Sequence, residues 1–164
     1  MNKGGQIQIS FGMIFSIIII IVTIAIAGYV ISQFIIQKDN ISCKLFQRDL
    51  QNAIDKAWAE DLTSRDFKAD GLPEDLEKIC FGNSSLQISS KEDKEAFDEF
   101  KLYSGPKSNM LFYPADGGCK DSASANTLEH VETDSFFCVE SKGGEAKIKL
   151  TKGRFDKFVK LSEN

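Results

Sequence analysis

From Phe11 to Ile36 the chain runs for 26 residues without a charge, interrupted only by the polar side chains of Ser16, Thr23, Tyr29, Ser32 and Gln33. A helix rises about 1.5 Å per residue, so the run is about 39 Å long, enough to cross a hydrocarbon layer about 30 Å thick with some tilt. In lipid, each backbone N–H and C=O has to be satisfied within the segment, and for a single span that leaves only the helix. The sequence therefore predicts one transmembrane helix over 11–36, with the lipid bilayer as its first partner. On either side lie a short segment, 1–10, and the remainder of the chain from Gln37 on.

That remainder has the size of one small domain. It holds all 24 acidic residues and every basic residue except Lys3. A mixed, mildly acidic surface argues against nucleic acid as a partner, which needs a clustered basic face, and against a polybasic lipid-binding patch. Cys43, Cys80, Cys119 and Cys138 also all lie here. With no Cys-x-x-Cys and with His130 as the sole histidine, they read as two disulfides and not as a zinc site; free buried thiols are the alternative. Two bridges would place the domain in an oxidising compartment. Lys3 on one flank of the span faces Lys38, Lys44 and Arg48 on the other, so the positive-inside rule does not choose an orientation. The cysteines favour a cytoplasmic N-terminus and an extracytoplasmic domain. Two sequons, Asn40-Ile41-Ser42 and Asn83-Ser84-Ser85, point the same way and make Asn40 and Asn83 glycosylation candidates.

Three readings compete for the N-terminus. Ala25-Ile26-Ala27, before Gly28, is a small-residue site of the secretory type, but cleavage there would leave the apolar Tyr29–Ile36 run as a new end. An uncleaved anchor is the second reading. The third rests on Met1-Asn-Lys-Gly-Gly-Gln-Ile-Gln-Ile-Ser-Phe11, a short basic leader ending in a small residue, followed by Gln and then by the apolar helix. This start resembles that of archaeal type IV pilin-like proteins with class III signal peptides. The resemblance implies cleavage between Gly5 and Gln6 by a prepilin-type peptidase, with Lys3 holding the leader at the cytoplasmic face. It also implies a helix that stays attached to the mature domain and self-associates in a filament core. The match covers about ten residues and the apolar helix. Such proteins often carry a Glu soon after the cleavage site; here the fifth mature position is Ser10, or Gly12 in the register starting at Gln8. No carboxylate is available in either register, a departure that bears on filament assembly more than on cleavage.

Beyond the span the apolar pattern becomes one-sided. Cys43, Phe46, Leu50, Ala53, Ile54 and Ala57 recur at helical spacing, with Lys44, Arg48, Asp49, Asn52, Asp55 and Lys56 opposite. This predicts one helix from about Ile7 to about Glu60, amphipathic over 37–62, with Trp58 as a core anchor. A polar stretch over 61–71 should end it. Strands are predicted at 77–81 and 109–113, and a helix over 91–103 behind Ser89 and Ser90, which with Glu92 and Asp93 read as a capping box. Residues 135–140 and 145–151 read as a hairpin, and 158–161 as a strand or a short helix. The long polar loop 115–126 looks stapled by Cys119. The expected fold is α+β: a long helix laid on an antiparallel sheet of about four strands within 63–164, an arrangement that also resembles pilin-like subunits. Four cysteines allow three pairings; the preferred one is Cys43–Cys80 with Cys119–Cys138, and Cys80–Cys138 across strands is its rival.

Motifs for chemistry are sparse. The sequence has no Gly-x-Ser-x-Gly, Ser-x-x-Lys, His-Glu-x-x-His or phosphate-cradling loop. The acid pairs Glu74-Asp75, Glu92-Asp93 and Asp98-Glu99 fall on turns or exposed helix faces, where solvation is expected. Glu60, Asp61, Asp66 and Asp70 lack calcium-loop spacing. His130, in Leu128-Glu-His-Val131, sits beside an acid and within an expected strand edge, where a lone histidine is more often structural or exposed than catalytic. The expectation is a non-enzyme without a cofactor or metal.

Overall fold

The computed structural model describes residues 11–120 and 125–163, so the leader positions Gly5 and Gln6 lie outside the described residues. The fold is α+β, with a long apolar helix at the N-terminal end and two small sheets. The chain divides into two compact units after Gln37.

Helix α1 spans Phe11–Trp58 and is the only element of the first unit among the described residues. From Gly12 to Phe34 every residue is exposed. Its hydroxyls fold back on the helix: Ser16 Oγ donates to Gly12 O at 2.8 Å, Thr23 Oγ1 to Ile19 O and Ile20 O at 2.9 Å, and Ser32 Oγ to Tyr29 O at 2.8 Å. A hydroxyl satisfied in this way adds little cost to an otherwise apolar surface. It is the one helix among the described residues long and apolar enough to cross a membrane.

In the second unit α1 is followed by β1 (Thr63–Ala69), β2 (Lys78–Phe81), a single 3-10 turn, α2 (Lys94–Tyr103) and β3 (Met110–Tyr113). Five further strands complete it: β4 (Ala125–Asn126), β5 (Val131–Glu132), β6 (Phe137–Glu140), β7 (Ala146–Lys152) and β8 (Val159–Glu163). One sheet has the order β1-β7-β8-β5 and the other β4-β3-β2-β6. All pairs are antiparallel except β5 with β8.

The main core joins the buried stripe of α1 (Cys43, Phe46, Leu50, Ile54 and Ala57) to one face of each sheet. Phe46 packs edge-on against Phe67 of β1 at 5.8 Å and Phe112 of β3 at 5.7 Å between ring centroids. A second core lies on the other face of the β4-β3-β2-β6 sheet, where Ala96, Phe97 and Phe100 of α2 cover Cys80, Leu111 and Cys138. Because helices cover both faces, β2, β3 and β6 carry continuous apolar runs; β7, wet on one face, alternates Ala146, Ile148 and Leu150 with Lys147 and Lys149. Gly82 ends β2 at φ +131°, and a Cβ there would meet Phe136 Cα at 3.0 Å, so glycine is required on both counts.

Three sequence expectations are corrected. The polar stretch 61–71 contains β1, a seven-residue edge strand in register with β7 from Thr63↔Lys152 to Ala69↔Ala146. The predicted hairpin partners separate: β6 pairs with β2, whereas β7 pairs with β1 and β8. Only the bridge Lys142↔Glu145 joins the intervening turn. The single expected sheet is therefore two. Residues 159–163 are a strand, which resolves the ambiguity at the C-terminal end.

Candidate functional site: the clamps on helix α1

The face of α1 beside its buried stripe carries Gln51, Asp55 and Trp58, spaced one and two turns apart. Each grips a loop of the globular unit. Gln51 accepts Glu129 N–H at 2.9 Å and donates to Glu129 O at 3.2 Å, and its Nε2 also donates to Asp55 Oδ1 at 2.8 Å. His130 Nδ1 donates to Asp55 Oδ1 at 3.1 Å, the carboxylate being able only to accept. The hydrogen bonds from His130 and then Gln51 hold the Asp55 carboxyl below its ordinary range. The His130 ring stacks on the Trp58 indole at 3.9 Å between centroids and 7° between planes, and Trp58 Nε1 donates to Lys157 O at 3.1 Å.

His130 adopts φ +60°, a left-handed conformation that turns the chain just before β5. Its carbonyl accepts Val159 N–H at 2.9 Å and opens the parallel pairing of β5 with β8. His130 is thus a loop pin and not part of the strand edge expected for it. Trp58, expected as a core anchor, is 41 % exposed and serves as a lid on that pin. At the end of the helix Lys152 Nζ donates to Trp58 O at 2.5 Å and Glu60 O at 2.8 Å, placing a cation where helix carbonyls lack partners. Thr63 and Arg65 hold the Glu60 carboxyl below its usual range, Arg65 gripping both of its oxygens.

The four cysteines form two disulfides, Cys43–Cys119 and Cys80–Cys138. The preferred pairing from sequence is therefore replaced by its rival. Cys80 and Cys138 sit directly opposite each other on β2 and β6, with Cα atoms 3.9 Å apart, so register brings them together. Cys43, on the buried stripe, is left to tie the helix to Cys119 in the loop after β3, across 76 residues of sequence.

Asp93 corrects the solvation expected for the acid pairs. It is 6 % exposed; its Oδ1 lies 3.1 Å from Lys78 Nζ, and its Oδ2 accepts Cys138 N–H at 3.2 Å. The backbone donor lies on the β6 edge, so the carboxylate closes a sheet edge while Lys78 neutralises it. Glu99, half-buried on α2, accepts Ala115 N–H at 2.6 Å. Ser90 does cap the turn before α2, accepting Glu92 N–H at 3.3 Å. The signal for Asp93 was present in sequence only as an acid at a helix start; Lys78 lies on a distant strand and gave none.

An open groove of about 430 Å³ runs along α1 between Lys44, Gln47, Arg48, Gln51, Asn52, Thr127 and Glu129. Its lining is polar and solvated, unlike the apolar enclosure typical of small-molecule sites. Among the described residues, no group of three or more His, Cys, Asp or Glu side chains is placed to hold a metal ion. Of the glycosylation candidates, Asn40 lies half-buried within α1, and Asn83 is exposed in the turn after β2. No protein-family model, curated protein or solved structure matches the chain.

Proposed function

We propose that the chain is a pilin-like subunit: a single-pass membrane protein with its N-terminus in the cytoplasm and its α+β unit outside. In this reading a prepilin-type peptidase removes the leader between Gly5 and Gln6, and the exposed apolar part of α1 then holds the subunit in the bilayer and associates with copies of itself. The role is structural; no enzyme activity, nucleic acid or cofactor is part of it. The observation that carries the reading is the division of labour along α1. One 48-residue helix is apolar and exposed over its first half and, over its second, is the disulfide-tied spine of a folded unit. The two disulfides support the oxidising side for that unit.

The absence of a carboxylate at Ser10 or Gly12 favours a second reading, an uncleaved anchor carrying an interaction domain that does not form filaments. Intact-mass measurement of the membrane-extracted protein, with and without reductant, separates the two. The proposal expects residues 1–5 to be missing, a gain of about 4 Da on reduction, and large sedimentable assemblies. A full leader on a detergent-soluble monomer would refute it.

A further inference from the structure

We infer that Asn83 is an N-glycosylation site and that Asn40, although it carries the same sequon, is not. The inference rests on the reading that the globular unit lies outside the cytoplasm. Asn83, Ser84 and Ser85 are all exposed, in a turn closed by Leu86 N–H donating to Asn83 O at 3.2 Å. Asn83 Oδ1 accepts twice from the third sequon residue, from Ser85 N–H at 3.0 Å and from Ser85 Oγ at 2.5 Å. Both partners donate, so the atom they meet is the carboxamide oxygen. The carboxamide nitrogen, the atom that takes the sugar, is left on the far side of the group from these two contacts. The turn is thus pre-shaped so that a substituent on the nitrogen leaves both Ser85 bonds intact.

Asn40 presents the opposite case. It lies inside α1, where residues two apart do not face each other, so the Ser42 hydroxyl cannot reach the Asn40 carboxamide. Both residues are half-buried, and Asn40 follows the apolar run by only four residues. The sequence motif is identical at the two sites; only the local backbone distinguishes them.

The donor is an oligosaccharide on a polyprenyl phosphate or pyrophosphate carrier, acted on by a membrane-bound oligosaccharyl transferase. The Asn83 Nδ2 forms a bond to the anomeric carbon as the bond from that carbon to the carrier phosphate oxygen breaks. The phosphate leaves with the bonding pair, and the amide proton passes to a base of the transferase. No redox partner is involved.

The test is peptide mass spectrometry of the full chain recovered from the membranes of its own cells, with thiols counted in the same sample. A sugar-sized mass increment is expected on the tryptic peptide 79–91, and none on peptide 39–44. The increment should vanish in Asn83→Gln and Ser85→Ala, and persist in Ser85→Thr and Asn40→Gln. An unmodified 79–91 peptide in fully disulfide-bonded protein overturns the assignment itself. An unmodified peptide in protein with four free thiols overturns it through the placement of the unit. Modification at Asn40 overturns the geometric argument.

Discussion

Replacing Asp93 by alanine removes the charge partner of Lys78 and the acceptor of Cys138 N–H in one step. The side chains of Lys78 and Asp93 are 19 % and 9 % exposed, so the pair is largely withdrawn from water. Stripping one partner from a buried pair costs about 3–5 kcal/mol, mostly because the other charge is stranded. Lys78 retains some exposure and a bond to Glu92 O at 3.0 Å, which puts its share at the lower end. With the orphaned backbone donor, the expected loss is about 3–4 kcal/mol. The assay is urea unfolding of the full chain in non-ionic detergent, followed by the fluorescence of Trp58, the sole tryptophan. With a urea dependence of about 2 kcal/mol per molar, the midpoint should fall by about 1.5–2 M. Lys78→Met alone should be comparably damaging. The double variant Lys78→Met/Asp93→Asn should recover much of the loss, since a neutral amide still accepts Cys138 N–H and no charge is stranded. If both single variants stay within about 0.5 kcal/mol of the parent, the surface-like behaviour would refute the idea that this pair closes the sheet edge.

Three further outcomes test the clamps. A digest without reductant should yield Cys43 joined to Cys119 and Cys80 joined to Cys138; a Cys43–Cys80 peptide would show that the helix is tied elsewhere. Loss of the Cys43–Cys119 bridge, with its separation of 76 residues, should cost about 4 kcal/mol by loop-closure entropy and lower the urea midpoint accordingly. The Asp55 carboxyl is held below its unfolded value near 3.8, chiefly by His130, so it stabilises the fold above that pH, and the contribution is lost as pH falls through the lower folded value. The parent should therefore lose stability on acidification below about pH 4, and Asp55→Asn should lose less over that window; parallel acid limbs would remove His130 and Gln51 as the cause.

Much of the fold was legible because its signals are local. The helical stripe Cys43–Ala57 repeats every turn, and the runs at 79–81, 110–113 and 136–139 are apolar because both faces of their sheet are covered. β1 was illegible for the complementary reason. Thr-Ser-Arg-Asp-Phe-Lys-Ala is a wet edge strand with only Phe67 and Ala69 turned to the core, and its strand character comes from pairing with β7. The apparent hairpin 135–151 misled because alternation along a strand does not say which partner lies beside it. The roles of His130, Trp58 and Asp93 are not legible in sequence because each is defined by a residue elsewhere in the chain: Asp55, His130 and Lys78 respectively.

What the amino acids alone determined is the apolar helix and the amphipathic stripe that follows it, since both depend on hydrophobicity and on the 3.6-residue period of a single element. The pairing of the cysteines, the division of the strands between two sheets and the burial of Asp93 were decided only by the tertiary structure. Each depends on which backbone lies alongside which, or on the exact turn a short segment takes, and a residue's chemistry does not carry that information until its neighbours are in place.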